Sequence, residues 1–399
     1  MKTTMSRSLR AGGVLSLSLL ALTACTEVPT TAEPIATGAN LSADGWVPAA
    51  KRAAREQTPV DTTAVHGSEL SDDELARRAL ADTSWRADDG RRFDALFVAG
   101  DGTSYGRFGE AREVAAPTDT DRGAFNPDDD TIFERTLFKI LGGTLSSDRR
   151  TLISAASTLE SYPYRTVGSL SGDGSTMTGG CTGTMVGPRH VITAAHCVMS
   201  SSGSVSTSGY FNPGQTNATR LNGGATRHWS GVMLRDWRVA RRFDYALLYL
   251  DDSAANAQLG WMGVAWWNDS SGYLGKTAYN KGYPCGPSNS CGVVANQQCK
   301  ASPRPDKRCD GWMYADDAIL DTNAFTSDSR LDYAIDTSEG HSGSAVYTYV
   351  DGVPAILAIH YGPDGSYNAG ARFRSSMWND ICTWIANVPS AYGTHTLCH

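Results

Sequence analysis

The sequence has little positive charge and no apolar segment long enough to cross a membrane. Its 35 lysines and arginines are outnumbered by 42 aspartates and glutamates, which leaves a formal net charge of -7 over 399 residues. Proteins that bind nucleic acid usually carry a basic patch, so this charge balance argues against nucleic acid as a partner. The apolar stretch at residues 14–22 is shorter than the roughly 20 residues that a membrane-spanning helix needs. Internal repeats and coiled-coil heptads are absent as well.

Spacings that would indicate a metal site are also missing. None of the nine cysteines forms a C-x-x-C pair, so zinc is not indicated. No loop has the ligand spacing of a calcium-binding loop, although calcium as a structural ion is left open. We therefore expect a protein that works without a metal or organic cofactor.

The first 25 residues have the pattern of an export signal. Basic residues precede the apolar stretch, and residues 22–25 (LTAC) match the bacterial lipobox, in which the cysteine is lipidated after cleavage. We predict that residues 1–25 are a signal peptide and that Cys25 carries lipid. This lipid would be the only part of the protein that contacts a membrane. A plain signal peptide cleaved near Ala24 is the alternative. Either form predicts a secreted or cell-envelope bacterial protein.

The other cysteines are expected to form disulfides. Nine is an odd number, and setting Cys25 aside leaves eight that can pair completely in an exported protein. Cys181 begins a strand and turn that return toward Cys197, so a disulfide between them would hold that hairpin. Proximity along the chain favours two pairs in a cluster, and a third pair would tie down the end of the chain. These pairs are Cys285–Cys291, Cys299–Cys309 and Cys382–Cys398.

The hydrophobic pattern separates a pro-region from an all-β domain. Residues 26–139 are predicted to be a propeptide, first a flexible tether rich in alanine, threonine and proline and then a small pro-region. Within it, residues 71–74 (SDDE) have the pattern of a helix start. A small independent binding domain is the alternative interpretation of this pro-region.

Residues 140–399 have short apolar or alternating runs separated by turn residues, which is typical of all-β proteins. A stretch of this length suits two packed antiparallel barrels with catalytic loops between them, followed by a helix near residues 376–387. The segment at residues 284–310 holds four cysteines and is predicted to be a disulfide-bonded surface insertion.

Three short strings carry the chemistry. Residues 193–197 (TAAHC), 243–247 (FDYAL) and 340–344 (GHSGS) place a histidine, an aspartate and a serine in that order along the chain. A serine hydroxyl is too weakly acidic to attack an amide at neutral pH. It needs an imidazole to take its proton and a carboxylate to orient that imidazole. The three strings supply one group each.

We predict that Ser342 is the nucleophile, His196 the general base and Asp244 the buried carboxylate that holds the imidazole. Glycines around the serine permit a tight turn whose backbone N–H groups point inward, and those of Gly340 and Ser342 would form an oxyanion hole. The G-x-S-x-G elbow of α/β-hydrolases does not fit, because Ser344 replaces its last glycine and the order of the triad differs.

With these strings the chain resembles the bacterial chymotrypsin-like serine peptidases, and within them the secreted glutamyl endopeptidase group. The resemblance covers most of residues 140–375 and implies a double β-barrel, protein or peptide substrates and the triad roles given above. Its further motifs are residues 147–151 (SDRRT), 162–165 (YPYR), 282–284 (GYP), 336–337 (DT) and 358–362 (AIHYG).

The resemblance also implies a substrate specificity. In the glutamyl group a histidine on the strand after the nucleophile helps to bind an acidic side chain, and His360 stands at this place, with Thr337 as a further pocket residue. This implies cleavage after glutamate, since a histidine donates a hydrogen bond to a carboxylate. Asp336 and Glu339 are also candidate pocket residues. Their carboxylates would instead attract lysine or arginine, so trypsin-like specificity is the alternative.

Activation is expected to follow a cut near Lys139, or near Arg135, by another protease or by the enzyme itself. The trypsin-type salt bridge to the residue just before the nucleophile cannot form, because that residue is His341. A non-catalytic, surface-anchored binding protein with a protease fold is the rival from another functional class, and an esterase with the same triad is a second rival.

Overall fold

The computed structural model describes part of the chain, all of it within the unit Gly38–His399. The export signal, Cys25, Arg135, Lys139 and residues 285–310 of the cysteine-rich insertion lie outside the described residues. The described residues are 46–49, 71–108, 149–172, 180–216, 221, 226–251, 256, 258–267, 269–284, 311–322, 324, 329–338, 340–364 and 367–387.

In chain order the strands are β1 (Trp46–Pro48), β2 (Ala95–Ala99), β3 (Ser104–Arg107), β4 (Thr151–Ile153), β5 (Val167–Ser171), β6 (Cys181–Gly187), β7 (His190–Thr193), β8 (Gly209–Pro213), β9 (Arg227–Leu234), β10 (Ala246–Leu250), β11 (Gly263–Val264), β12 (Thr277–Gly282), β13 (Met313–Ile319), β14 (Arg330–Tyr333), β15 (Ala345–Val350), β16 (Val353–Asp364) and β17 (Tyr367–Arg372). The helices are α1 (Asp72–Ala81), α2 (Ala156–Leu159) and α3 (Ser375–Asn387).

The first part of the fold is a closed antiparallel barrel. Its strands pair in the order β8, β5, β6, β7, β10 and β9, and β9 pairs back with β8 to close the barrel. Strand β10 is an uninterrupted apolar run (ALLYL), and all five of its residues are buried. Such a run has no polar face to present to water, so it is suited to a strand that is covered on both sides.

Strand β9 also carries strands from the N-terminal part of the chain. β2 pairs antiparallel with β9, β3 with β2, and β1 with β3. All five residues of β2 are buried, and Phe97 packs edge-on against Tyr249 of β10 with ring centroids 6.2 Å apart. Part of the region predicted as a pro-region therefore shares the hydrophobic core of the barrel.

The second sheet follows the order β14, β17, β16, β15, β12, β13 and β4 within the described chain, and β11 pairs with β16 in parallel. Its longest strand is β16, with 12 residues. The pairing of β16 with β17 shifts register between His360 and Gly362, a local irregularity of the kind that often lies next to an active site. A closed barrel, a second sheet and a C-terminal helix confirm the predicted chymotrypsin-like all-β fold.

Two helices begin where the sequence pattern places them. Ser71 caps α1, because its side-chain oxygen accepts a hydrogen bond from the Glu74 backbone N–H at 3.2 Å. α3 begins within a residue of the predicted C-terminal helix, and its Trp384 stacks on Tyr245 with ring centroids 5.6 Å apart. No helix in the described part of the chain is long and apolar enough to span a membrane.

Candidate active site

Strand pairing brings the predicted histidine and aspartate together. His196 lies in a short 3-10 turn after β7, and Asp244 precedes β10. Because β7 and β10 are antiparallel neighbours with Thr193 opposite Ala246, the two residues leave the barrel at the same end. His196 Nδ1 lies 2.8 Å from Asp244 Oδ2, and the His196 backbone N–H donates to Asp244 Oδ1 at 2.9 Å.

The electrostatics of this pair favour an ionised aspartate. Both side chains are fully buried. Burial raises the pKa of the Asp244 carboxyl, but the charge and hydrogen bonds of His196 and the charge of Arg241 outweigh burial, so the pKa lies below its ordinary value. An ionised carboxylate only accepts hydrogen bonds, so it orients the imidazole with a hydrogen on Nδ1. Nε2 of a neutral imidazole is then able to accept a proton.

The turn that carries the predicted nucleophile packs against the histidine loop. The Ser342 backbone oxygen accepts a hydrogen bond from the Thr182 N–H at 2.8 Å and lies 3.5 Å from Cys197 Sγ. Cys197 is joined to Cys181 in a disulfide, so its sulfur has no hydrogen to donate and this is a packing contact. The disulfide links β6 to Cys197, the residue that follows His196, and packs against the backbone of the Ser342 turn.

Thr182 also holds this turn through its side chain. Its Oγ1 donates to the Gly340 backbone oxygen at 2.7 Å and accepts from the Tyr283 N–H at 2.9 Å. Gly340 has φ of 92°, in the region where a Cβ is unfavourable. Sequence reasoning did not find the role of Thr182. Tyr283 belongs to the GYP motif at residues 282–284. This motif was the one sequence feature that pointed to a contact supporting the serine turn.

Gly343 is confined both by its backbone conformation and by its surroundings. Its φ is +84°, and a Cβ there would overlap Thr193 Oγ1 and Thr182 O and would lie 2.9 Å from the Ala194 nitrogen. We expect Gly343→Ala to destabilise the protein by about 3 kcal/mol or more, because backbone strain and steric overlap add. We also expect loss of activity, since the turn would have to shift. Thermal unfolding and casein hydrolysis measure the two effects.

Gly352→Ala is the matched control for that substitution. Gly352 has φ of +78°, but nothing lies within 4 Å of a Cβ built on it. Gly352→Ala therefore adds backbone strain without steric overlap. We expect it to lower the free energy of unfolding by about 1 kcal/mol and to keep full activity. Equal losses of stability in the two variants would contradict the role assigned to packing around Gly343.

His360 lies on β16 directly beside the turn that carries Ser342. Its backbone oxygen accepts from the Gly343 N–H at 2.8 Å, and its own N–H donates to the Ser344 oxygen at 2.9 Å. The His360 Nδ1 lies 2.6 Å from the Tyr333 hydroxyl of β14, and both residues are buried. Burial raises the pKa of the Tyr333 hydroxyl far above its ordinary value, so this group keeps its hydrogen. No sequence pattern pointed to Tyr333.

The carboxylate of Asp336 is already engaged by another part of the chain. Its Oδ2 accepts a hydrogen bond from the Arg149 backbone N–H at 2.8 Å and lies 3.8 Å from Arg149 Nε. The Asp336 side chain is fully buried, and its neighbour Thr337 is buried too. Glu339 lies outside the described residues. A substrate cation would therefore have to compete with Arg149 for this carboxylate.

Three of the eight cysteines that were expected to pair are described, and all three are disulfide-bonded. Cys181 is bonded to Cys197. Cys382 is also in a disulfide, and its predicted partner is among the cysteines outside the described residues. These are Cys285, Cys291, Cys299, Cys309 and Cys398.

One group in the described chain has ligand-like spacing for a metal ion. Donor atoms of Cys181, His196 and Cys197 lie within 4.8 Å of one another. The two sulfurs belong to one disulfide and offer no thiolate, and His196 Nδ1 is already paired with Asp244 at 2.8 Å. This set of donors does not fit a metal.

Comparison with known proteins identifies the family. Residues 181–354 match the profile of the trypsin-like peptidase domain, and this stretch contains all three predicted triad residues. A protein named extracellular metalloprotease, from Bacillus subtilis strain 168, is 30% identical over 248 residues, which are 60% of this chain and 69% of that relative. The chain belongs to the trypsin-like serine peptidases. The peptidase is also 29% identical over 252 residues to the glutamyl endopeptidase of Bacillus licheniformis, with 60% of this chain and 68% of that relative covered.

Solved structures with similar folds include further proteases. A Glu endopeptidase in complex with MPD has a TM-score of 0.46 at 20% identity. The match covers 60% of the peptidase and 97% of that solved chain. Protease Anisep from Arthrobacter nicotinovorans has a TM-score of 0.39 at 15% identity, with 57% and 95% covered. The peptidase acts on proteins or peptides, as its family implies. The name metalloprotease applies to the Bacillus subtilis relative.

Proposed function

We propose that this peptidase is an exported endopeptidase that hydrolyses peptide bonds through an acyl-enzyme on Ser342. The observation that carries the proposal is the fully buried pair of His196 and Asp244. In this pair one carboxylate lies 2.8 Å from the ring nitrogen of the histidine and 2.9 Å from its backbone nitrogen. The Ser342 turn packs against the same loop through Cys197.

In the proposed mechanism, His196 Nε2 takes the proton of Ser342 Oγ as that oxygen attacks the carbonyl carbon of the substrate. The backbone N–H groups of Gly340 and Ser342 stabilise the oxyanion, and Asp244 stabilises the imidazolium. The imidazolium then gives its proton to the leaving amine, and the C–N bond breaks. The same histidine activates a water molecule, which hydrolyses the ester and restores the serine. These steps use no metal or organic cofactor.

A covalent inhibitor tests this chemistry. The mature protein is treated with a fluorophosphonate, the adduct is located by peptide mapping, and parallel samples receive the chelator EDTA. We expect an adduct on Ser342 with loss of casein hydrolysis, and activity that survives the chelator. A chelator-sensitive activity that the fluorophosphonate leaves intact would contradict the proposal. A folded protein that neither reacts nor cleaves would favour a non-catalytic binding role.

We further propose that the peptidase prefers glutamate on the N-terminal side of the scissile bond. The protonated Tyr333 hydroxyl donates to His360 Nδ1, which places the hydrogen of a neutral imidazole on Nε2, the atom that would donate to a substrate carboxylate. The Asp336 carboxylate, which would favour a basic side chain, accepts a hydrogen bond from the Arg149 backbone N–H at 2.8 Å and lies 3.8 Å from the cationic Arg149 side chain. Both observations support an acidic over a basic substrate.

His360→Ala tests this preference. We expect kcat/KM for a glutamate peptide to fall about thirtyfold, because a hydrogen bond to a charged group contributes roughly 2 kcal/mol. The value of kcat/KM for the matched glutamine peptide should fall only about threefold. The control is His228→Ala, which removes a partly exposed histidine and should leave the ratio of the two substrates unchanged. Faster cleavage by the wild-type enzyme after lysine or arginine than after glutamate would establish the trypsin-like alternative instead.

We also propose that the chain is made as a precursor that is exported, lipidated at Cys25 and cut near Lys139 or Arg135. The lipobox supports this route, and the Bacillus subtilis relative is named as extracellular. Intact-mass analysis of the protein from the cell envelope and from the medium identifies the lipid and the new N-terminus. A soluble precursor that begins just after Ala24 without lipid would favour the plain signal peptide.

A further inference from the structure

The N-terminal module, defined as residues 71–107, is built into the first barrel. Its strand β2 forms four residue pairs with β9, from Leu96 opposite Leu234 to Ala99 opposite Gly231. Its apolar side chains belong to the same hydrophobic cluster as those of the barrel. Six of them are at most 2% exposed, namely Leu75, Trp85, Phe93, Leu96, Phe97 and Val98. Removal of the module would expose these contacts and the edge of β9 to water.

A buried ion cluster ties the module to the loop that follows β9. Arg92 Nη2 lies 2.6 Å from Asp236 Oδ2, and Arg238 Nη2 lies 2.8 Å from Asp82 Oδ2. Asp236 and Arg238 pair with each other at 2.9 Å, and their side chains are 4% and 1% exposed. Module and loop each contribute one acid and one base. Because charges this deeply buried depend on their partners, loss of the module would leave the loop charges partly uncompensated.

The same loop carries a tryptophan that lies against the catalytic histidine. The rings of Trp237 and His196 meet edge to face, with centroids 6.2 Å apart and planes at 72°. Trp237 Nε1 donates to the Met199 backbone oxygen at 2.9 Å, which fixes the indole on the histidine turn. Contacts therefore run from Arg92 through Asp236 and its neighbour Trp237 to the imidazole.

We propose that the N-terminal module stays bound after the maturation cut and that its Arg92 is a positioning residue for the catalytic base. Arg92 holds Asp236, so that the neighbouring Trp237 keeps the His196 ring aligned. The inference rests on the proposed function for the role of His196 and for the maturation cut. No cysteine lies between Cys25 and Cys181. The bound module is thus retained by packing, strand pairing and ion pairs, without a disulfide.

Retention of the module is measured without reference to activity. The cut enzyme is purified by size exclusion under native conditions, and its fragments are separated under denaturing conditions and identified by mass. We expect a fragment with residues 71–107 in a one-to-one ratio with the fragment that contains Ser342. An enzyme that lacks the module and still reacts fully with fluorophosphonate would overturn the inference. A particle that keeps the module but does not react would overturn the proposed function and leave retention standing.

Arg92→Met tests the positioning role. We expect kcat to fall about tenfold with KM within about twofold of wild type, because His196 acts in the chemical step and not in substrate binding. Arg92→Lys keeps a positive charge opposite Asp236 and should recover most of kcat. The matched control is Arg78→Met, which removes a half-exposed arginine from the same module, paired with Glu74 at 3.0 Å, and should change neither constant.

The outcomes separate positioning from simple support of the fold. Unchanged kcat in Arg92→Met would overturn the positioning role, and so would a parallel loss of kcat, KM and thermal stability that Arg92→Lys does not reverse. If Arg92→Met does not fold, Trp237→Phe gives the same readout from the other end of the contact. It removes the hydrogen bond to Met199 and should again lower kcat while KM is kept.

Discussion

Replacing Ser342 with alanine is expected to lower kcat about a million-fold, because alanine has no oxygen that can form the acyl-enzyme. The contacts that hold the turn come from the backbone, such as the 2.8 Å bond from the Thr182 N–H to the Ser342 oxygen. The variant should therefore fold with wild-type stability and bind peptide substrates as before. Long-incubation assays with a peptide substrate measure kcat and KM, and thermal unfolding measures stability. The variant should also no longer be labelled by fluorophosphonate.

Ser344→Ala is the control within the same turn. The Ser344 hydroxyl accepts a hydrogen bond from Asn280 Nδ2 at 2.7 Å. Its loss should cost about 1 kcal/mol of stability while labelling by fluorophosphonate is kept. The assignment of the nucleophile would be wrong if Ser344→Ala abolished labelling and Ser342→Ala did not.

The second largest effect is expected for Asp244→Asn, which should lower kcat about ten-thousandfold. Asparagine keeps the shape of aspartate but turns an NH₂ donor toward the ring. It therefore favours the tautomer of His196 with its hydrogen on Nε2, which cannot take the serine proton. It also removes the negative charge that stabilises the imidazolium. The measurement is kcat on a peptide substrate, with thermal unfolding to confirm that the buried site is intact.

A second histidine–aspartate pair in the described chain provides the matched control. Asp251, at the far end of β10, bonds to His228 Nδ1, but their side chains are 47% and 37% exposed. Asp251→Asn makes the same chemical change in a hydrated pair outside the proposed site. It should leave kcat within about twofold of wild type. A comparable loss of activity in both variants would contradict the catalytic role of Asp244.

These two pairs show why the pairing of His196 with Asp244 could be predicted from local sequence. His196 stands among small apolar residues and beside a cysteine, and Asp244 stands just before the apolar strand β10. Those neighbours predict burial, and a buried carboxylate requires a partner. Asp251 borders the same strand, but it is followed by a second aspartate, and no pairing with His228 was predicted for it. The register of β9 and β10 brings the two residues into contact.

The surroundings of the proposed specificity residues could be predicted only in part. The resemblance indicated Asp336 and His360, but the partners that decide their chemistry are remote in sequence. Arg149 lies 187 residues before Asp336, and Tyr333 lies 27 residues before His360. No local spacing encodes these contacts, because they depend on how the strands of the second sheet are arranged.

The N-terminal module shows the same limit. Its helix start at Ser71 was visible in the sequence, because a cap is an interaction between residues three apart. Its place in the barrel was not visible, since β2 pairs with residues of β9 more than 130 positions later.

Residue type and short-range spacing were enough to predict the proposed triad, from the order of histidine, aspartate and serine, and also the disulfide beside the histidine and the all-β pattern. The tertiary structure decided the rest. It engaged Asp336 with Arg149, placed Tyr333 on His360 and joined the module of residues 71–107 to the loop of Trp237. The physical reason is that charge compensation and ring packing depend on distance in space, which strand pairing sets and which separation along the chain does not reveal.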